Sequence, residues 1–215
     1  MPADRGNPMG LTLAAVMTLS QHCAPGIAIE ALVPQLKVES HFDPLAIGIN
    51  HGPVVHARTL PEAVGIATRY IQAGYSVDLG IAQINSRNLR RLGLSVEQAF
   101  DPCRSLQAAS VVLTENWTNV SATRTGADAI STTWSVYNSG STSRGFRNGY
   151  VDKVWTAASD LVPQMRVMLA ANDGGTPPPL SAGQAGGAPE VAAAPPPPRW
   201  FYGTANADAL VFKSQ

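Results

Sequence analysis

The chain has 215 residues, enough for one domain of ordinary size, and its charged fraction of 14% is well below the roughly 25% of an average soluble domain. Fifteen basic residues balance fifteen acidic ones, so there is no excess positive charge for binding nucleic acid or anionic lipid. No apolar run approaches the roughly 18–20 residues that a membrane-spanning helix needs. The composition therefore favours a neutral globular enzyme or binding module over a DNA-binding protein, a membrane channel or a coiled coil.

Residues 1–10 are predicted to be a flexible N-terminus. The segment after them fits the first helix of a domain, since apolar or small residues recur on one helical face at Leu11, Ala14, Ala15 and Thr18. A secretory signal is the alternative, but the apolar stretch from Met9 to Leu19 is short, contains two threonines and precedes no clean A-x-A cleavage site. Any export signal is therefore weak or atypical.

Cys23 and Cys103 are the only cysteines. Either both are buried and reduced, or they form one disulfide that closes a loop of about 80 residues and places the protein outside the cytoplasm. Two cysteines and four scattered histidines do not supply the roughly four ligands of a structural zinc site. We therefore predict no metal and no cofactor.

One carboxylate falls on an apolar helical stripe. The stripe consists of Ile29, Leu32, Val33 and Leu36. Glu39 continues it, and burial there favours the protonated acid, which is the form that a general acid needs to protonate a glycosidic oxygen. The structural alternatives are that Glu39 pairs with an arginine such as Arg87 or lies at a frayed helix end. Pro34 would shorten the stripe if the helix began near Val33.

The rest of the domain is predicted to be mainly helical, with an irregular loop or short hairpin over residues 45–58. Two helix starts carry capping boxes, formed by Thr59 with Glu62 and by Ser95 with Gln98. Further helices are predicted over residues 104–117, 128–137 and 150–161, with Pro163 breaking or kinking the last one. The fold class is mainly α, a domain over residues 11–171 with at most a small β element.

The composition changes abruptly near residue 172. Nineteen of the 27 residues from 172 to 198 are Gly, Pro or Ala, which cannot bury enough apolar surface to offset the entropy of ordering. We expect a disordered, Pro/Gly/Ala-rich linker there. The segment 199–215 follows and begins Arg199-Trp200-Phe201-Tyr202. It is either a docking peptide or a tail that folds back onto its own domain.

Three ordered motifs resemble those of the soluble lytic transglycosylases. The first, Glu39-Ser40-His41-Phe42-Asp43-Pro44, resembles their Glu-Ser-x-Phe-x-Pro signature. The second, Gly80-Ile81-Ala82-Gln83-Ile84-Asn85, resembles Gly-Leu-Met-Gln-Ile-Asn, with Ala82 in place of methionine. The third, Val136-Tyr137-Asn138-Ser139-Gly140, resembles Ala-Tyr-Asn-x-Gly. The resemblance implies a goose-lysozyme-like helical domain that cleaves peptidoglycan.

Further segments resemble the subgroup of these enzymes associated with bacterial type IV secretion systems. They are Cys23-Ala24-Pro25, Ala46-Ile47-Gly48, Asp101-Pro102-Cys103 and residues 145–151. The subgroup implies a Cys23–Cys103 disulfide, a location in the periplasm or cell envelope, and local opening of the wall for assembly of the secretion system. Components of that system are the expected partners of the C-terminal tail, beside peptidoglycan strands as substrate. Neither nucleic acid nor a stable membrane span is expected.

The resemblance implies that Glu39 cleaves the β-1,4 bond between N-acetylmuramic acid and N-acetylglucosamine and forms a 1,6-anhydro sugar. One carboxylate suffices for this reaction, and no second acid accompanies Glu39 within its motif, since Asp43 precedes Pro44 and is better placed to shape a turn. A hydrolytic lysozyme and a non-catalytic peptidoglycan-binding scaffold are the alternative functions.

Five further residues are candidates for substrate binding. Tyr137 would hydrogen-bond either Glu39 or the N-acetyl group of the substrate. Gln83 and Asn85 carry amides suited to glycan hydroxyl and acetamido groups, and they share one face if their segment is extended. Asn138 and Ser40 complete the set, although Asn138 would otherwise cap its own helix and Ser40 would simply end its helix.

Overall fold

The computed structural model of the protein describes residues 10–172. The predicted N-terminus, linker and aromatic segment lie outside this range apart from residues 10 and 172. The helices are α1 (Leu13–Cys23), α2 (Ile29–Ser40), α3 (Leu60–Gln72), α4 (Leu89–Leu92), α5 (Val96–Ala99), α6 (Pro102–Ser121), α7 (Gly126–Ser139), α8 (Arg144–Arg147) and α9 (Tyr150–Asn172). The strands are β1 (Ile47–Ile49), β2 (Val77–Leu79) and β3 (Ile84–Asn85). The prediction of a mainly α fold with a small β element is confirmed.

The three strands form one antiparallel sheet in the order β1-β2-β3. Strand β1 lies in the segment predicted as a loop or short hairpin, but it pairs with β2, which lies after α3, rather than with a strand of its own segment. Asp78, in the middle of β2, lies opposite Gly48 on one side and Asn85 on the other. The sheet therefore brings residues 47–49 next to the distant segment 77–85.

Helix α2 lies in the core and packs along α9. Leu32 and Leu36 of α2 are fully buried, as are Val154 and Met165 of α9. Burying each large aliphatic side chain stabilises the fold by about 1.5–3 kcal/mol. Because Glu39 comes three residues after Leu36, the same packing fixes Glu39 at the end of α2 against the core.

Two prolines lie inside helices. Helix α2 begins at Ile29 and continues through Pro34, so the prediction that Pro34 would shorten it is wrong. Pro34 is buried, and its missing N–H removes only one helical hydrogen bond. Helix α9 likewise continues past Pro163 to Asn172, where an end near Leu161 was expected. The side-chain amide of Gln164, the next residue, donates to the Asp160 carbonyl at 2.8 Å.

The end of α1 is joined to the start of α6 by a disulfide between Cys23 and Cys103, whose Cα atoms are 5.3 Å apart. The disulfide alternative for the two cysteines is therefore confirmed. Of the two capping boxes predicted from sequence, the one at α5 forms in full, since Ser95 and Gln98 cap the helix reciprocally. At α3 only half of the box forms: Thr59 Oγ1 accepts from the Glu62 N–H, but the Glu62 carboxylate accepts from the Arg58 N–H instead of the Thr59 N–H. Within residues 10–172, no helix is long and apolar enough to cross a membrane.

Candidate active site

Residues from the end of α2, from the sheet and from helices α4, α6 and α7 line a cleft of about 440 Å³. This volume lies within the range of small-ligand sites. The structure brings five of the six predicted site residues to the cleft: Glu39, Gln83, Asn85, Tyr137 and Asn138. Ser40 does not line it.

Glu39 lies in the last turn of α2, and the C-cap residue of that helix, His41, has the left-handed conformation (φ 55°). Its Oε1 accepts a hydrogen bond from the Tyr150 hydroxyl at 2.5 Å. The pKa of Glu39 is raised from 4.5 to about 8 as the net result of three effects: burial, the largest, raises it, the Tyr150 hydrogen bond lowers it, and the charge of Asp78 raises it. Glu39 is therefore protonated at neutral pH and can donate a proton into the cleft.

Sequence reasoning missed Tyr150, whose hydroxyl donates to Glu39. Tyr150 is the first residue of α9, and the Gln35 side chain hydrogen-bonds the same hydroxyl. Burial and the neighbouring Glu39 charge raise the pKa of Tyr150, so the hydroxyl keeps its proton. The predicted alternative in which Tyr137 donates to Glu39 is wrong, because the Tyr137 hydroxyl donates to the Ala82 carbonyl at 2.7 Å. The only sequence signal for Tyr150 was its place in the segment 145–151.

The second motif forms a turn followed by a two-residue strand, so the extended arrangement considered for Gln83 and Asn85 is wrong. Gln83 has φ 49°, and its Nε2 donates to the Gly80 carbonyl at 2.9 Å and to the Ala46 carbonyl at 3.2 Å. Asn85 accepts from the Arg87 N–H at 3.0 Å through Oδ1. Both side chains still reach the cleft, although their amides are already bonded to the protein.

A second carboxylate, Asp78, lines the same cleft and was also missed by sequence reasoning. Its Oδ1 accepts from Asn85 Nδ2 at 2.6 Å and its Oδ2 accepts from Asn50 Nδ2 at 3.0 Å. Burial raises the pKa of Asp78, whereas these two amide hydrogen bonds lower it. No sequence pattern links Asp78 to Glu39, because the pairing of the strands brings Asp78 to the cleft.

The remaining two predicted residues have different surroundings. Ser40 is buried, and its hydroxyl lies 2.7 Å from the Ile81 carbonyl, so it ties the end of α2 to the turn after β2. Asn138 lies within α7 and accepts from Asn148 Nδ2 at 2.9 Å. It does not cap its helix, which ends at Ser139 and is followed by Gly140 as the C-cap, with φ 66°.

Comparisons with known proteins place the chain in a family. Residues 19–156 match the Transglycosylase SLT domain. Protein virB1 of Rhizobium radiobacter is 40% identical over 148 residues, which are 68% of this chain and 62% of the relative. Protein virB1 of Agrobacterium fabrum (strain C58) is 36% identical over 156 residues, 72% of this chain and 64% of the relative.

A third relative, type IV secretion system protein virB1 of Brucella abortus biovar 1, is 34% identical over 150 residues, 66% of this chain and 63% of the relative. The chain thus spans less than two thirds of the length of these relatives. No solved structure matches it. The SLT match covers more than half of the chain and includes Glu39, the turn at Gln83 and Tyr137. The chain therefore belongs to the SLT transglycosylase family.

Proposed function

We propose that the protein is a lytic transglycosylase that cleaves the β-1,4 bond between N-acetylmuramic acid and N-acetylglucosamine in peptidoglycan. The observation that carries this proposal is a glutamic acid that is protonated at neutral pH and lines a polar cleft in an SLT domain. A carboxylic acid in this state is what the protonation of a glycosidic oxygen requires.

The reaction has two steps, and both use Glu39. In the first, Glu39 gives its proton to the glycosidic oxygen, the bond from that oxygen to C1 breaks, and positive charge develops on C1 and the ring oxygen. In the second, the C6 hydroxyl oxygen of the muramic acid bonds to C1 and its proton passes to the Glu39 carboxylate. The products are a free hydroxyl on N-acetylglucosamine and a 1,6-anhydro muramic end, and Glu39 is protonated again.

The other cleft residues would hold the sugars. We assign Gln83 and Asn138 to hydrogen bonds with hydroxyl and acetamido groups, since both carry amide groups and line the cleft. The ring of Tyr137 would pack against a sugar face while its hydroxyl stays on Ala82. Asn85 and Ser40 would act indirectly, because Asn85 holds Asp78 and Ser40 holds the turn at Ile81.

We further propose that the enzyme works in the periplasm or cell envelope and opens the wall locally for a type IV secretion system. The Brucella relative is named as a protein of that system. The disulfide supports an oxidising compartment outside the cytoplasm. Residues 199–215 are our candidate for the contact with the secretion system, on the strength of their adjacent aromatic residues alone.

The test is mass spectrometry of purified peptidoglycan digested with the wild-type chain and with Glu39→Gln. We expect anhydro-muropeptides from the wild type and none from Glu39→Gln, which keeps the size of the side chain but has no acidic proton. A binding assay on insoluble peptidoglycan serves as the control for folding. Products with reducing muramic ends, one water heavier, would instead indicate a lysozyme. Binding without any products would indicate a scaffold.

A further inference from the structure

The wall of the cleft that α4 and α6 form carries polar side chains that the proposed reaction does not use. Helix α4 contributes Arg91, and helix α6 contributes Glu115 and Asn116. All three line the same cleft as Glu39. A glycan strand bound at Glu39 therefore lies in a cleft that also presents a guanidinium group and a side-chain amide.

Asn116 has an unused hydrogen-bond donor. Its Nδ2 is buried, and no residue within the range 10–172 accepts a hydrogen bond from it. Buried amide nitrogens without a partner are rare in folded proteins, because nothing then compensates for their loss of hydration. In the wall of a cleft, such a donor fits an acceptor on a ligand, for example the carbonyl oxygen of an acetamido group.

Arg91 is half-exposed and also keeps donors in reserve. Its Nη1 donates to both carboxylate oxygens of Glu115, at 2.7 and 2.6 Å. A guanidinium carries five N–H donors, and those on Nε and Nη2 of Arg91 have no partner in the part of the chain that the structure describes. Glu115 thus anchors one nitrogen of Arg91 and leaves free the edge that matches a planar carboxylate.

Peptidoglycan carries both kinds of acceptor on one of its two sugars. N-acetylmuramic acid has an acetamido group on C2 and a lactyl group on the neighbouring C3. The lactyl group either ends in a carboxylate or is joined to a peptide that carries carboxylates. N-acetylglucosamine has an uncharged hydroxyl at C3. An amide donor beside a guanidinium therefore distinguishes the two sugars by charge.

We propose that Asn116 and Arg91 form a carboxylate-binding subsite for N-acetylmuramic acid. Asn116 Nδ2 donates to the acetamido carbonyl oxygen, and the Arg91 guanidinium binds a carboxylate of the C3 substituent. Glu115 is a positioning residue, which holds Arg91 against α6. This inference rests on the proposed function and extends it, since the negative charge of the strand becomes a determinant of binding. The subsite reacts with nothing, so it acts on KM.

The main test changes the substrate and needs no variant. The full wild-type chain is assayed for release of anhydro-muropeptides from soluble peptidoglycan strands, before and after carbodiimide and ammonia have converted their carboxylates to amides. We expect amidation to raise KM about 3- to 5-fold, as for the loss of a partly exposed ion pair, with little change in kcat. Equal KM values for the two substrates would overturn the proposal.

Arg91→Ala assigns this effect to one side chain. On untreated strands it should raise KM by about the same factor as amidation does, and on amidated strands it should cause no further rise. Arg90→Ala is the matched control, because Arg90 is the preceding residue of α4, is exposed and does not line the cleft. That variant should have the wild-type KM on both substrates.

Asn116→Leu tests the amide donor with a side chain of similar size. We expect KM to rise about 5-fold on acetylated strands and to match the wild type on strands from which the acetyl groups have been removed. Its melting temperature should equal or exceed that of the wild type, because the buried Nδ2 has no partner to lose in residues 10–172. An unchanged KM with a lower melting temperature would show that Asn116 has only a structural role.

Removal of the peptides identifies the source of the carboxylate. An amidase that cuts between the lactyl group and the peptide leaves a free lactyl carboxylate on each muramic acid. A rise in KM for Arg91→Ala on these stripped strands assigns the contact to the lactyl carboxylate, and a rise on intact strands alone assigns it to the peptide. No rise on either substrate overturns the subsite and leaves the transglycosylase in place. If the wild type releases nothing from any strand, the proposed function fails and this inference fails with it.

Discussion

At the scale of single residues, the chemistry depends on how Glu39 is held. Its carboxyl group is buried enough to stay protonated at neutral pH, yet it lines a cleft where a substrate can take its proton. Tyr150 acts in the opposite direction to burial, since its hydrogen bond favours the ionised form of Glu39. The pKa of about 8 is the balance between these effects.

Tyr150→Phe tests this balance. Without the hydroxyl donor, the pKa of Glu39 should rise above its present value, and the alkaline limb of kcat/KM should move to higher pH. The plateau rate should fall because the carboxylate left after proton donation loses its hydrogen bond, which is worth about 1.5–3 kcal/mol to a charged acceptor. Tyr75→Phe, at a half-exposed tyrosine of the turn after α3, is the matched control. An alkaline limb that stays in place would contradict the assignment of Tyr150.

At the scale of elements, the turn after β2 packs against the end of α5. Gly80 has φ 72° there, and a Cβ atom on it would lie 2.2 Å from the Ala99 carbonyl oxygen. Only glycine meets both conditions, because other residues are strained at this φ and the obstacle is backbone. The position of Gln83, three residues later, depends on the same turn.

Gly80→Ala should therefore destabilise the domain by about 2–4 kcal/mol, as measured by urea unfolding. Gly65→Ala is the matched control: Gly65 lies inside α3 with nothing within 4 Å of the added Cβ atom. That change should stabilise the domain by about 0.5–1 kcal/mol. If the two substitutions changed the free energy of unfolding equally, the contact between residue 80 and the Ala99 carbonyl oxygen would not contribute to stability.

Local patterns in the sequence were enough to find part of the site. The helical stripe from Ile29 to Leu36 predicted the burial of Glu39, because periodicity within one helix depends on a few adjacent turns. Capping residues predicted the starts of α3 and α5 for the same reason. Asp78 and Tyr150 could not be found in this way, because contacts between distant elements place them. The pairing of the strands brings Asp78 to the cleft, and the packing of α9 on α2 brings Tyr150 to Glu39.

At the scale of the whole molecule, the Cys23–Cys103 disulfide links the end of α1 to the start of α6, 80 residues later in the chain. Its reduction should lower the free energy of unfolding by about 2–4 kcal/mol and lower the melting temperature. Thermal unfolding with and without reductant measures this effect. A double Cys23→Ser and Cys103→Ser variant should melt at the lower temperature and be insensitive to reductant. Two free thiols in the denatured, unreduced wild type would contradict the bond.

The hydrogen bond from Tyr150 to Glu39 joins residues 111 positions apart. Contacts across such a distance carry a large loop-closure entropy and form only when most of the chain has folded. A nascent or partly exported chain that ends before α9 thus contains the acid without the hydroxyl that holds it. The transglycosylase that we propose would therefore complete its site only after nearly the whole domain has emerged.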